Sequence, residues 1–148
     1  MDKSHDISVT NGLIKTTLDS MKGYKEAAED SETGNSAFFC EMADERSAVA
    51  SQLQQYVTTL GGDPQDDSSI TAAAHRGFMD LKQAVMGTDE KAIVQEVERG
   101  EDFIKEKYEE ALKDSELSEQ TRAEIQACYS SIQQGHDRVS AMKSQMNA

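Results

Sequence analysis

The chain has few of the residues that usually build sheets and covalent frameworks. Its 148 residues include one proline, no tryptophan, four phenylalanines and four tyrosines. The shortage of aromatic residues, together with many Ala, Glu, Gln, Lys and Met, favours an all-α protein over a sheet. Two cysteines, Cys40 and Cys128, are too few for a disulfide framework or a zinc site. The length is that of one domain, so we expect residues 1–148 to form a single domain.

Basic residues and long apolar runs are also scarce. There are 15 Lys and Arg against 28 Asp and Glu, which gives a formal net charge of −13. No clustered basic surface is available to neutralise phosphates, so nucleic acid and anionic membrane surfaces are excluded as partners. No run approaches the ~20 apolar residues that span a bilayer. The first residues lack the basic and apolar regions of a signal peptide, and we therefore expect a cytoplasmic location.

Apolar residues recur at helical spacing in five stretches. Four are long and one is short, and turn signals such as Gly61-Gly62 followed by Pro64 separate them. The pattern predicts long helices over residues 7–30, 36–60, 89–113 and from about 118 onwards, with a short helix over residues 70–86. At ~1.5 Å per residue the short helix would cover about 25 Å, close to the length of a bundle.

The order and loop lengths predict the topology. Short loops join the first two and the last two long helices, which makes each pair an antiparallel hairpin. The short middle helix would return the chain from one end of the bundle to the other. The predicted fold is therefore a ferritin-like antiparallel four-helix bundle with a crossover helix between the second and third long helices.

Each long helix carries one polar residue within its apolar stripe. These residues keep the stripe's own spacing of three or four positions, and they are Thr17, Glu45, Glu101 and His136. If the four stripes face one another, the polar residues meet at one level of the core. Burying carboxylates and an imidazole there is costly unless they pair, form hydrogen bonds or hold a metal. We expect all four to face inward.

A faint repeat relates the two halves of the chain. Thr17 precedes Tyr24 by seven residues, and Glu101 precedes Tyr108 by the same seven. The repeat indicates that the two helical hairpins are related by a pseudo-twofold axis, which is the symmetry of a two-metal site.

The polar positions resemble those of carboxylate-bridged di-iron bundles. Such bundles take one Glu from each of two helices and a Glu-x-x-His pair from each of the other two. The chain also resembles an uncharacterised bacterial family of ferritin-like four-helix-bundle proteins of unknown function. That resemblance covers most of the chain and rests on four segments: Gly23-Tyr24-Lys25-Glu26-Ala27-Ala28, Leu60-Gly61-Gly62-Asp63-Pro64, His75-Arg76-Gly77-Phe78-Met79-Asp80-Leu81-Lys82 and Glu98-Arg99-Gly100-Glu101-Asp102.

The di-iron resemblance implies a degenerate site. Glu45, Glu101 and His136 keep a ligand type, whereas the other three ligand positions hold Thr17, Ala48 and Gln133. Thr17 and Ala48 replace the ligands that would bind one metal alone, whereas Glu101 and His136 keep the ligands that would bind the other metal alone. The surviving half would suit one Fe, Mn or Zn ion. Gln133 is a weaker candidate ligand, and so is Glu98, one turn before Glu101.

Two interpretations of this cluster stay open. In the first, Glu45, Glu101 and His136 form a metal-free buried network to which Tyr24 or Tyr108 donates hydrogen bonds. The chain would then be a non-enzymatic binding or assembly protein with a decayed di-iron site, and a role in stress physiology would rest on the family resemblance alone. In the second, the chain holds one metal ion with redox or metal-handling activity. A third hypothesis is a helical interaction module that forms a homodimer or binds another helical protein.

Overall fold

A computed structural model describes residues 3–31, 35–66 and 90–146 of the chain, except for the side chain of Met146. Four helices account for nearly all of them: α1 (Ser4–Asp30), α2 (Asn35–Thr59), α3 (Glu90–Leu112) and α4 (Glu119–Met146). No strand occurs within these ranges. The four predicted long helices are confirmed, with boundaries that differ by at most three residues. The predicted crossover helix over residues 70–86 lies outside the described ranges.

The helices pack as an antiparallel four-helix bundle. Helix α1 packs against α2 and α3, and α4 completes the ring against the same two helices. The predicted all-α bundle is thus confirmed. Large apolar side chains from all four helices fill the interior at 0–1% exposure, and these include Ile14, Phe39, Leu53, Ile104 and Ile132. Their removal from water is the main favourable contribution to folding.

The chain leaves α2 at one end of the bundle and enters α3 at the other. Beyond α2, the amide of Gln65 donates to Oδ1 of Asn11 at 2.8 Å, near the start of α1. At the opposite end, the Ser31 hydroxyl donates to the carboxylate of Glu90 at 2.8 Å, where α1 stops and α3 begins. The residues between α2 and α3 therefore connect opposite ends of the bundle.

Helix α2 ends in a Schellman motif, as the glycine pair predicts. Gly61 has φ +87°, a conformation that glycine adopts without a steric penalty. The amide of Gly61 donates to the carbonyl of Thr58, and that of Gly62 donates to the carbonyl of Val57, both at 3.0 Å. These bonds satisfy carbonyl groups left without partners at the helix end.

None of the helices in the described ranges is both long enough and apolar enough to cross a bilayer.

Candidate functional site

A buried ion pair occupies the centre of the bundle. Nη2 of Arg46, on α2, lies 2.7 Å from Oε1 of Glu101, on α3, and each side chain is only 1% exposed. The two helices lie diagonally opposite in the bundle, so the pair spans its core. Isolated charges would be very costly at this depth, and each residue neutralises the other.

Two hydroxyl groups complete the surroundings of this ion pair. The Tyr24 hydroxyl donates to the same oxygen of Glu101, and Nη1 of Arg46 donates to the Ser20 hydroxyl at 2.9 Å. The Arg46 guanidinium also lies over the Tyr24 ring, 5.6 Å from its centre, in cation–π geometry. Burial raises the pKa of Tyr24 well above its ordinary value, and the negative charge of Glu101 adds to this effect. Tyr24 therefore stays protonated near neutral pH and acts as a donor.

The fourth helix reaches the ion pair through its backbone. A Cβ atom added at Gly135, on α4, would lie 2.4 Å from Nη2 of Arg46 and 2.8 Å from Cε of Met42. It would also lie 3.5 Å from Oε1 of Glu101. Glycine at this position lets the α4 backbone pack directly against the charged pair.

A second, neutral pair lies two helical turns away. The Thr17 hydroxyl donates to the carbonyl of Leu13 at 2.7 Å, so its oxygen accepts the bond from the Tyr108 hydroxyl at 2.8 Å. Together with Tyr24 and Glu101 this pairing is reciprocal: residue 17 meets residue 108, and residue 24 meets residue 101. The seven-residue repeat of the sequence is thus accounted for by the antiparallel packing of α1 against α3.

The inward position on α2 belongs to Arg46 and not to Glu45. The Glu45 side chain is 41% exposed and accepts a bond from Nη1 of Arg138 at 3.1 Å. The prediction that Glu45 faces the core is therefore wrong. Residue 46 lies four positions after Met42 and three before Val49, so it fits the apolar stripe as well as residue 45 does. That spacing makes Arg46 as good a candidate as Glu45, and only contacts with the other helices decide between them.

His136 lies at the edge of the bundle. Its side chain is 17% exposed, and Nε2 lies 2.7 Å from the carboxylate of Asp102, an exposed residue of α3. Its other ring nitrogen, Nδ1, is buried without a hydrogen-bond partner, and the carboxylate of Asp137 lies 3.8 Å from it. Neither Glu45 nor Glu101 is the acid that pairs with this imidazole.

The two weaker candidates lie apart from the centre. Glu98 pairs with Lys143 of α4 at 2.7 Å, and Gln133 is exposed. Of the five predicted ligands, only Glu101 belongs to the central network. Within the three described ranges, no group of three or more His, Cys, Asp or Glu residues is arranged to hold a metal ion. The metal set of Glu45, Glu101 and His136 stays a prediction, and this arrangement does not bring the three together.

The cysteines lie outside the central network. Both are free thiols, with Cys40 exposed and Cys128 buried. Burial raises the pKa of the Cys128 thiol to about 12, so it stays protonated and behaves as a small apolar side chain.

Comparison with known proteins identifies the family of this chain. No curated protein matches the chain. The model of one family, described as "Domain of unknown function (DUF2383)", matches residues 6–114. This range includes α2, α3 and all but the first two residues of α1, and therefore both members of the buried ion pair. The chain belongs to this family of unknown function, DUF2383.

Proposed function

We propose that this protein is a non-enzymatic, ferritin-like bundle in which a fixed guanidinium takes the central position that a metal ion holds in di-iron bundles. The observation that carries the proposal is the fully buried pair of Arg46 and Glu101. A carboxylate that stays ionised at the core of a bundle is costly unless a positive group neutralises it. Here a side chain of the same chain supplies the positive charge.

The geometry of Glu101 supports a site without metal. Its Oε1 already accepts bonds from Arg46 and Tyr24. A divalent ion bound to this carboxylate would lie close to the guanidinium and be repelled by it. The other predicted ligands have partners of their own, since Glu45 contacts Arg138 and His136 contacts Asp102. Binding a metal would require these contacts to break as well.

The proposed role of the buried pair is structural. A charged pair that spans two diagonally opposite helices is satisfied in one relative position of those helices only, so it fixes their register. A bundle with a fixed core can present its outer faces to other molecules, and we infer a role in binding or assembly. A homodimer or another helical partner, and a connection with stress physiology, stay predictions.

One observation favours the alternative, a protein that holds a single Fe, Mn or Zn ion. Two atoms of the predicted ligands are buried without a hydrogen-bond partner, namely Oε2 of Glu101 and Nδ1 of His136. Carboxylate oxygen and imidazole nitrogen both suit these metals. If the helices shifted and the guanidinium withdrew, these atoms would be free to bind an ion.

Metal analysis separates the two proposals. The purified protein and the variants His136→Ala and His5→Ala would each be incubated with Fe(II), Mn(II) or Zn(II) and desalted. The metal bound per chain would then be measured by elemental mass spectrometry. We expect less than stoichiometric metal in all three proteins, and a lower unfolding midpoint for His136→Ala. One ion per chain that is lost in His136→Ala and kept in His5→Ala would contradict the proposal, because only His136 belongs to the predicted half-site.

A further inference from the structure

A small crevice opens between α1 and α3 beside the central network. The backbones of Gly23 and Gly100 form part of its walls, and the buried residues Tyr24 and Glu101 also line it. Its volume of about 30 Å³ is large enough for a water molecule. A Cβ added at Gly100 would meet nothing within 4 Å, so no side chain covers this part of the wall. The crevice therefore admits a small polar group, such as the end of a larger ligand.

One carboxylate oxygen of Glu101, a residue of the crevice lining, receives no hydrogen bond from the described residues. Oε1 of Glu101 accepts two bonds, whereas Oε2 is buried and accepts none from the protein. A buried carboxylate oxygen without a partner is costly, and a hydrogen bond to a charged group is stronger than one between neutral groups. The crevice therefore favours a group that donates a hydrogen.

The charges around the crevice favour a neutral donor over a cation. The negative charge of Glu101 is balanced by Arg46 at 2.7 Å. Glu96, the other acid of the lining, is balanced by Arg99, also at 2.7 Å. A cationic group would enter without a free negative charge to pair with, and it would lose its hydration. A hydroxyl or a primary amide gives the required hydrogen at a smaller cost.

We propose that the crevice between α1 and α3 binds the neutral hydroxyl or primary amide end of a small ligand, which donates a hydrogen bond to Oε2 of Glu101. Val97 supplies an apolar wall for the carbon atoms next to that group. The inference rests on the proposed site without metal, because a metal ion bound to Oε2 of Glu101 would occupy the oxygen that receives the hydrogen bond.

A matched pair of probes tests the donor requirement. Acetamide and acetone have the same number of heavy atoms and nearly the same shape, but only acetamide can donate a hydrogen bond. Each would be titrated into ¹⁵N-labelled protein while the amide resonances of Gly23 and Gly100 are followed by NMR. We expect acetamide to bind at least about tenfold more tightly than acetone, the factor that a hydrogen bond to a charged group provides. Equal shifts with both probes, or no shift with either, would overturn the proposal.

Two variants locate the binding and reverse its preference. In Glu101→Gln the carboxamide oxygen of the glutamine can keep the bond from Arg46. The amino group of the glutamine then takes the position of Oε2 and faces the crevice. This variant should prefer acetone. In Gly100→Leu the new side chain enters open space at the crevice and should abolish binding, whereas Gly12→Leu, at an exposed position of α1 with equally open surroundings, should bind as the unmodified protein does. Unchanged acetamide binding in Gly100→Leu would contradict the proposed location even if Glu101→Gln failed to fold.

Discussion

The carboxylate of Glu101 has two kinds of neighbour, a guanidinium and a phenol, and both donate to one oxygen. A phenol that donates to a carboxylate contributes more to stability than one that donates to another hydroxyl, because one partner is charged. The bundle contains both cases at equivalent depths, since Tyr24 is 3% exposed and Tyr108 is 0% exposed. The two tyrosines are therefore a natural pair for comparison.

Tyr24→Phe should destabilise the protein more than Tyr108→Phe does. Tyr24→Phe removes a bond to the Glu101 carboxylate and should cost about 1.5–3 kcal/mol, whereas Tyr108→Phe removes a bond to the Thr17 hydroxyl and should cost about 0.5–1.5 kcal/mol. Phenylalanine keeps the ring and the cation–π contact of Arg46, so the difference isolates the hydroxyl. Urea unfolding at pH 7, followed by circular dichroism, measures both values. A larger cost for Tyr108→Phe would show that the charge of Glu101 does not strengthen its bond with Tyr24.

At the scale of the helix, the apolar stripe predicts well that each of the four helices exists and approximately how long it is. Spacing, turn residues and the glycine pair determine where α1 to α4 begin and end, because these are local properties of the chain. It is harder to predict which of two adjacent residues in the stripe faces the core. Residues 45 and 46 both keep the stripe's spacing, so the spacing does not decide which of the two enters the core.

The reason for this ambiguity is physical. A helix repeats every 3.6 residues, so the stripe shifts by a fraction of a residue with each turn, and adjacent positions become equivalent over a long helix. Which of them enters the core depends on its partners on other helices. Arg46 is stabilised there by Glu101, by Ser20 and by the absence of a side chain at Gly135. None of these contacts can be read from α2 alone.

Gly135→Ala should destabilise the protein, although alanine favours helices. The exchange would gain about 1 kcal/mol of helix propensity at an unconstrained position. At Gly135, however, the new methyl group would lie 2.4 Å from Nη2 of Arg46, and that nitrogen is held by Glu101. Met42 can move its terminal methyl away, but Arg46 can move only by weakening the ion pair. We expect a net loss of about 1–3 kcal/mol by chemical unfolding.

Gly12→Ala and Gly100→Ala are the controls for this exchange. Both glycines lie in helices, are exposed and would place a Cβ where nothing lies within 4 Å. Each should stabilise the protein by about 0.5–1 kcal/mol. If Gly135→Ala were stabilising to the same extent, the close approach of α4 to the ion pair would be wrong.

For the whole molecule, a second buried carboxylate joins three helices at the end opposite the start of α3. Asp6, near the start of α1, accepts bonds from the amide and hydroxyl of Ser118 and from the hydroxyl of Thr121. The Tyr56 hydroxyl of α2 lies 2.7 Å from that of Thr121, and the Ser118 hydroxyl also accepts from the Thr121 amide as the N-cap of α4. This network holds α1, α2 and α4 together through one negative charge.

The stability of the bundle should therefore fall in acid, and Asp6 should contribute to that fall. Burial raises the pKa of Asp6, but the hydrogen bonds from Ser118 and Thr121 together outweigh burial and lower the pKa below its ordinary value. A carboxyl whose pKa is lower in the folded state stabilises the protein above its unfolded-state pKa of about 3.9, and this contribution is lost as the pH falls through the folded-state pKa.

Asp6→Asn should lower the free energy of unfolding by about 1–3 kcal/mol at pH 7. Between pH 5 and pH 2.5 the free energy of unfolding of this variant should fall less than that of the unmodified protein, as measured by urea unfolding at each pH. Asp19→Asn is the matched control because burial raises the pKa of Asp19, so its ionisation opposes folding as the pH rises and its removal should not flatten the decline in acid. Parallel acid profiles for the unmodified protein and Asp6→Asn would show that the charge of Asp6 does not contribute to acid stability.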